Sequence, residues 1–312
     1  MRITVIGAGN VGATTAMRLA QQDLCREVVL VDVVPGLAQG LALDLNQSAP
    51  VEGFATRVVG TTDYGPTANS DVIVMTAGRP RQPGMSRQDL LRTNAEVVQA
   101  CVGAAAARSP FAILVVVTNP LDEMTYLSWR VSGFRPDRVV GMAGDLDSAR
   151  LAWFLAERCE VPARTVEAMT LGSHGDTMVP LPGRATVGGR PATELLDADD
   201  LDALFRRTRD GGAEIVALLQ RGSAFYAPSA ATAAMVRAIV QDRREVHPAC
   251  AYLQGEYGLE GAFVGVPAVL SRRGVEAVQE LDLAPSELAA LREAAAAVRR
   301  RCDELDALIA AG

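Results

Sequence analysis

The chain has 312 residues, 49% hydrophobic and 21% charged, which excludes a disordered or low-complexity protein and allows one large core or two moderate ones. Its net charge of −7 disfavours a general nucleic-acid or anionic-membrane surface, so positive charge that matters is local. All 30 basic residues are Arg, and the absence of Lys removes Schiff-base chemistry through a lysine amine and the lysine-dependent phosphate loop. Only two His are present. The five Cys (25, 101, 159, 250 and 302) are scattered without a C-x-x-C pair, which suggests neither a disulfide framework nor a zinc ribbon and points to a reducing, cytoplasmic compartment. No charged leader with a long apolar segment opens the chain, and no later stretch offers about 18 uninterrupted apolar residues, so no membrane association is expected.

In chain order, RITVI at 2–6 reads as a short buried strand, followed by Gly-Ala-Gly-Asn-Val-Gly and a helical stretch, TTAMRLAQQ. Further β-branched runs stand at 28–31, 58–59, 72–75, 112–117 and 138–140, separated by segments long enough for crossovers. Continuous apolar strands alternating with helices predict a parallel sheet covered on both faces. The first half, 1–143, is therefore expected to be a Rossmann-type, doubly wound α/β domain. From 144 the pattern changes: a helix near 147–159, a β-rich section through 166–190, two helices between 199 and 240, strands around 249–281 and a terminal helix from 285. That predicts a mixed α+β domain over 144–312, with a core of its own.

Gly7, Gly9 and Gly12 complete G-x-G-x-x-G directly after the first strand, with Asn10 and Val11 between them. The first Gly permits the tight turn, the second lets the backbone approach a pyrophosphate, and the third allows helix to pack closely on strand. Asp32, at the end of the second strand, can accept hydrogen bonds from ribose hydroxyls and would repel a 2′-phosphate, so NAD is expected over NADP. The plainer reading of Asp32 is a turn or capping residue, and a Gly-rich turn alone can be merely structural.

Four more segments follow: TAGRPRQPGMSRQDLL (76–91), VVTNPLD (116–122), GDLDSARL (144–151) and LGSHGDTMVPL (171–181). In this order, together with the glycine motif, they resemble the lactate/malate dehydrogenase family, and within it the lactate-dehydrogenase-like malate dehydrogenases of prokaryotes. The resemblance runs from residue 1 to about 310. It implies reversible hydride transfer between (S)-malate and NAD⁺, a small dicarboxylate substrate, and a homotetramer or homodimer.

The chemistry explains the residue types. Adding hydride to a 2-keto acid puts negative charge on the carbonyl oxygen, so a proton must arrive with it, and His is the side chain that serves as acid and base near neutral pH. His174 matches the family's catalytic position. His247, beside Pro248 in a strand-like stretch, reads as a structural or surface residue. Asp147 matches the carboxylate partner that orients the imidazole, although an Asp at that point also caps a helix. Asp176 receives no proton-transfer role from the resemblance.

Three arginines are assigned by the resemblance. Arg150, three residues after Asp147 on the same helix face, grips the C1 carboxylate. Arg87 polarises the keto oxygen. Arg81 stands where the family's malate dehydrogenases carry Arg and its lactate dehydrogenases carry Gln. With pyruvate a guanidinium there would be left buried and unpaired, at about 3–5 kcal/mol. Arg81 and Arg87 lie in a segment with Gly78, Pro80, Pro83 and Gly84, the composition of a hinged lid. Arg79, in the same segment, departs from the family pattern and leaves open which arginine reads the distal carboxylate. Asp145 is a second departure, where an apolar residue is usual. Asn119 matches the amide that touches substrate and nicotinamide, and Val117, Thr118 and Asn94 match cofactor contacts, while Asn-Pro is also a common strand exit. No acidic or His cluster has metal-ligand spacing. The alternatives are a lactate or broader 2-hydroxyacid dehydrogenase and, from another class, a non-catalytic NAD-binding regulatory protein.

Overall fold

The computed structural model describes residues 1–79, 87–220 and 222–310, with Arg87 described by its backbone alone. The first half alternates strand and helix: β1 (Arg2–Ile6), α1 (Asn10–Gln21), β2 (Glu27–Val31), α2 (Leu37–Glu52), β3 (Arg57–Thr61), β4 (Val72–Met75), α3 (Arg87–Arg108), β5 (Ile113–Val116), α4 (Leu121–Ser132) and β6 (Val139–Gly141). These strands lie parallel in the order β3-β2-β1-β4-β5-β6. Their runs of Val, Ile and Leu are apolar without alternation because helices cover both sheet faces. In α1, for example, Thr15, Ala16, Leu19 and Ala20 form the buried stripe.

The strand order reverses between β1 and β4, which opens a crevice at the carboxyl ends of the strands. Gly7 follows β1, Thr76–Gly78 follow β4, Val117–Asn119 follow β5 and Met142 follows β6. Three of the sequence motifs therefore reach one edge of one sheet by topology alone.

The second half comprises α5 (Gly144–Arg158), β7 (Val166–Glu167), β8 (Thr170–Gly172), β9 (Met178–Pro180), β10 (Thr186–Val187), β11 (Arg190–Pro191), α6 (Ala192–Leu195), α7 (Ala198–Leu219), α8 (Tyr226–Val240), β12 (Glu245–Gln254), β13 (Glu260–Ser271), β14 (Gly274–Val278) and α9 (Pro285–Ala310). It differs from expectation in one respect: it does not enclose a wholly separate core. β12 pairs antiparallel with β6 through Cys250 and Gly141, so the sheet continues as β6-β12-β13-β8-β9, with β14 on β13. One apolar cluster runs from Ile3 and Val74 through Val264 to Leu291. The physical reason is an open edge at β6, whose unpaired backbone groups need a partner. Gly141 permits the approach, since a Cβ there would stand 2.9 Å from the Cys250 Cβ. Only the smaller cluster of Leu151, Phe154, Leu155, Leu204 and Phe205, chiefly between α5 and α7, belongs to the second half alone. Among the described residues no helix is long and apolar enough to cross a membrane.

Candidate active site

The glycine turn has the division of labour its spacing predicts. Gly7 has φ +98°, and a Cβ on Gly12 would stand 1.8 Å from the Gly7 carbonyl oxygen, so neither position accepts a side chain. Nothing lies within 4 Å of a Cβ built on Gly9, which leaves the start of α1 open to an anion. A cavity of about 290 Å³ lies beside it, lined by Gly9, Asn10, Val11 and Gly12 on one side and by Asn94, Val117, Thr118 and Asn119 on the other. This open cradle of backbone N–H groups fits a dinucleotide pyrophosphate.

Two predicted cofactor residues also do structural work. Asp32 accepts from Ala8 N–H (2.7 Å) and Val34 N–H (2.9 Å), which ties the glycine turn to the end of β2. A carboxylate has roughly four acceptor sites, so the turn role leaves capacity for a ribose hydroxyl. Asn94 is 1% exposed. Its Oδ1 accepts from Arg79 N–H (2.7 Å), and its Nδ2 donates to the Arg79 carbonyl (3.1 Å) and the Asn119 carbonyl (2.6 Å). It thus stitches together the exits of β4 and β5. The exposed Arg79 lines the glycine-side cavity.

Val11, Val117 and Asn119 also line a second cavity of about 500 Å³, whose far wall carries His174 and Arg150. His174 Nδ1 lies 2.9 Å from Asp147 Oδ2, and Arg150 Nη1 donates to Asp147 Oδ1 at 3.4 Å. Local packing fixes this geometry. Gly144 opens α5 where a Cβ would stand 2.4 Å from the Thr170 carbonyl oxygen, and Thr170 N–H donates to Ser148 Oγ (2.9 Å). The first turn of α5 is thereby clamped to β8, whose next residues lead into His174. Gly211 and Gly212 on α7 leave room for Arg150, since Cβ atoms on them would touch its side chain at 3.4 and 3.5 Å. The Arg150 Nε is buried without a partner among the described residues.

Burial by itself would depress the His174 pKa; the charge and hydrogen bond of Asp147, helped by Asp122 and opposed by Arg150, raise it above the usual value. The imidazole is thus biased toward its protonated form. Burial lowers the Arg150 pKa from its very high usual value, against the pull of Asp147.

Arg81 lies outside the described residues, as do the side chain of Arg87 and the proposed lid. The remaining predicted site residues gather around the two cavities, with Asp32 bracing the glycine turn from β2. Sequence reading missed two groups. Arg209 of α7 lines the larger cavity; it shares a helix face with Gly212, Ala213 and Val216, a spacing visible in the sequence but one that most exposed helix arginines also satisfy. Behind His174, Asp122, Glu123 and Arg301 form a buried charged cluster. Asp122 stood inside one of the quoted motifs, whereas Arg301 is distant in sequence and gave no local signal. The structure also gives Asp145 and His247 a shared account: they pair at 2.7 Å between α5 and β12.

A dinucleotide cleft opening directly onto a carboxylate-held imidazole is the arrangement of an NAD-dependent dehydrogenase acting on a CH–OH group. The family model for the lactate/malate dehydrogenase NAD binding domain matches residues 1–141, and that for the lactate/malate dehydrogenase alpha/beta C-terminal domain matches residues 144–308. The chain belongs to the lactate/malate dehydrogenase family. It is 53% identical over 309 residues to a malate dehydrogenase of Chloroherpeton thalassium, covering 99% of this chain and 100% of that one. A solved malate dehydrogenase from Salinibacter ruber superposes with a TM-score of 0.95 at 48% identity over 100% of both chains. A Cryptosporidium parvum lactate dehydrogenase solved with lactic acid and NAD superposes at 0.93 with 36% identity over 98% of each chain.

Proposed function

We propose that the protein is an NAD-dependent malate dehydrogenase that interconverts (S)-malate and oxaloacetate, with residues 1–143 forming the cofactor cleft and 144–312 carrying most of the reacting groups. The observation that carries this reading is the Asp147 carboxylate shared between His174 and Arg150 at the wall of the larger cavity. NAD, when bound, supplies the hydride acceptor or donor. Gly9, Asn10, Val11 and Gly12 would hold its pyrophosphate region, Asp32 its ribose, and Asn94, Val117, Thr118 and Asn119 its nicotinamide end.

The chain's own groups handle charge and protons. Asp147 occupies Nδ1 of His174 and leaves Nε2 to exchange a proton with the substrate oxygen. In the reducing direction the imidazolium donates; in the oxidising direction the neutral ring accepts. Arg150 holds the C1 carboxylate, Arg87 steadies charge on the substrate oxygen, and Arg81 pairs with the second carboxylate. A homodimer or homotetramer is supported by exposed apolar side chains, Leu43 and Val51 on α2 and Trp153 on α5, which a monomer would leave in water. The five free thiols fit a cytoplasmic location.

Steady-state reduction by NADH of oxaloacetate and of pyruvate tests the assignment. Higher kcat/KM on oxaloacetate is expected, and higher kcat/KM on pyruvate overturns it. Arg81→Gln should move the preference toward pyruvate by about two decades or more. An unchanged preference would transfer the selecting role to another cation, Arg79 or Arg209.

A further inference from the structure

The loop that carries His174 is held from behind by two elements, α4 and α9. Its own N–H donates to Asp122 Oδ2 (3.2 Å), and the Oγ of the preceding Ser173 donates to the same oxygen at 2.6 Å. Arg301, two thirds of the way along α9, completes the arrangement. Its Nη2 donates to Ser173 Oγ (2.9 Å) and stands 3.5 Å from Asp122 Oδ2, while its Nε donates to Glu123 Oε1 at 2.6 Å. The hydrogen bonds therefore run in one direction, from guanidinium to hydroxyl to carboxylate, and end on the oxygen that also receives the His174 backbone.

The cluster is dry. The Asp122, Glu123 and Arg301 side chains are 1%, 3% and 16% exposed. Two carboxylates in the first turn of α4, Asp122 and Glu123, meet this guanidinium at a helix N-terminus, where negative charge is favoured. Burial and the neighbouring Glu123 push the Asp122 carboxyl up, against Ser173, His174 and Arg301. Burial and the Asp122 charge also push the adjacent Cys250 thiol well up.

We propose that Arg301 is a positioning residue for catalysis: acting through Ser173 and Asp122, it fixes the backbone of His174 and makes the C-terminal helix part of the active-site frame. The inference rests on His174 as the proton-exchanging group. It adds a second job to the ring orientation that the sequence assigns to Asp147. Asp147 orients the ring from the side-chain end, and the Asp122–Arg301 pair anchors the same residue from its backbone end. A ring held at both ends keeps its Nε2 within the few tenths of an ångström that proton transfer requires.

Among the described residues, the charges around His174 are Asp147 and Arg150 from α5, Asp122 and Glu123 from α4, Arg301 from α9, Asp176 in its own loop and Arg209 across the cavity. Asp122→Asn keeps an acceptor for both donors but deletes the charge. The pH midpoint of kcat/KM for malate oxidation should then fall, whereas a purely structural role leaves it unmoved. Arg301→Met should lower kcat about tenfold, with NADH affinity by fluorescence titration unchanged, and Arg301→Lys should recover part of the loss. If Arg301→Met fails to fold, the double variant Glu123→Gln/Arg301→Gln removes the buried pair together and gives the same kcat reading. Wild-type kcat in the Arg301 variants together with an unmoved midpoint in Asp122→Asn overturns the proposal. His174→Asn, run in parallel, separates the two ideas. If it abolishes turnover while the Arg301 variants remain fully active and the Asp122→Asn midpoint is unmoved, only the positioning role falls; if it leaves turnover intact, the assignment of His174 itself falls.

Discussion

Both histidines of this chain are paired with a carboxylate of α5, two residues apart. His174 meets Asp147 at 2.9 Å, and His247 meets Asp145 at 2.7 Å. Burial does not distinguish them, with side-chain exposures of 15% and 10%. In both, burial depresses the imidazole pKa and the partner carboxylate more than restores it, so both sit above the usual value. What differs is the second nitrogen's surroundings. The His174 ring lines a cavity shared with Arg150 and Asn119, and its backbone is held by Asp122. His247 Nε2 is buried without a hydrogen bond, 3.7 Å from Glu245 Oε2, and neither His247 nor Asp145 lines either cavity at the cleft. A carboxylate–imidazole pair is thus common chemistry; it becomes a proton carrier only where the far nitrogen meets a substrate-sized space flanked by anion-binding groups.

The largest effect expected from this contrast is on turnover. His174→Asn should reduce kcat by about 10³–10⁴ with NADH binding intact, whereas His247→Asn should leave kcat within about twofold of wild type. Single-turnover reduction of oxaloacetate measures both, and a large loss in His247→Asn would break the distinction.

Next in size is the tuning of the active pair. On the proposed mechanism, malate oxidation needs neutral His174 and oxaloacetate reduction needs it charged. Because the folded-state pKa is raised above 6.5, oxidation should rise with pH through a midpoint above that value, and reduction should fall across the same range. Asp147→Asn removes the charge that raises it and weakens the hydrogen bond, so the midpoint should move downward and kcat should drop by about 10². An unmoved midpoint would mean that Asp147 serves only as a helix residue.

The two pairs were unequally legible. Glycine spacing, the terminal Asp of β2 and the strand-helix alternation are local signals, and they carried the doubly wound half and its cleft. Asp147 and Arg150 were legible because helix periodicity puts residues three apart on one face. The Asp145–His247 pair was not, because the register bringing β12 against β6 is set by an antiparallel pairing across a hundred residues. Arg301 was hidden for the same reason: helix periodicity sets it on the buried stripe of α9 with Val298 and Leu305, but only tertiary packing brings the α4 carboxylates opposite it. The second half keeps a core of its own only in part, because a sheet edge left open at β6 recruits whatever strands follow.

A last effect, on stability rather than turnover, tests why the second pair exists. His247→Leu alone strands a buried carboxylate and should cost about 3–5 kcal/mol, while the double variant Asp145→Val/His247→Leu exchanges an ion pair for apolar packing and should be near neutral or stabilising. The sign with pH follows from the raised folded pKa of His247. Its contribution is fully present below about pH 6.5, the unfolded value, and is lost as pH rises through the folded value. The stability gap between wild type and His247→Leu, read from urea denaturation, should therefore be widest at pH 6 and narrow toward pH 9. Turnover of the double variant should match wild type at every pH. A gap independent of pH would show that His247 contributes packing alone, and a change in turnover would couple the two pairs through the first turn of α5.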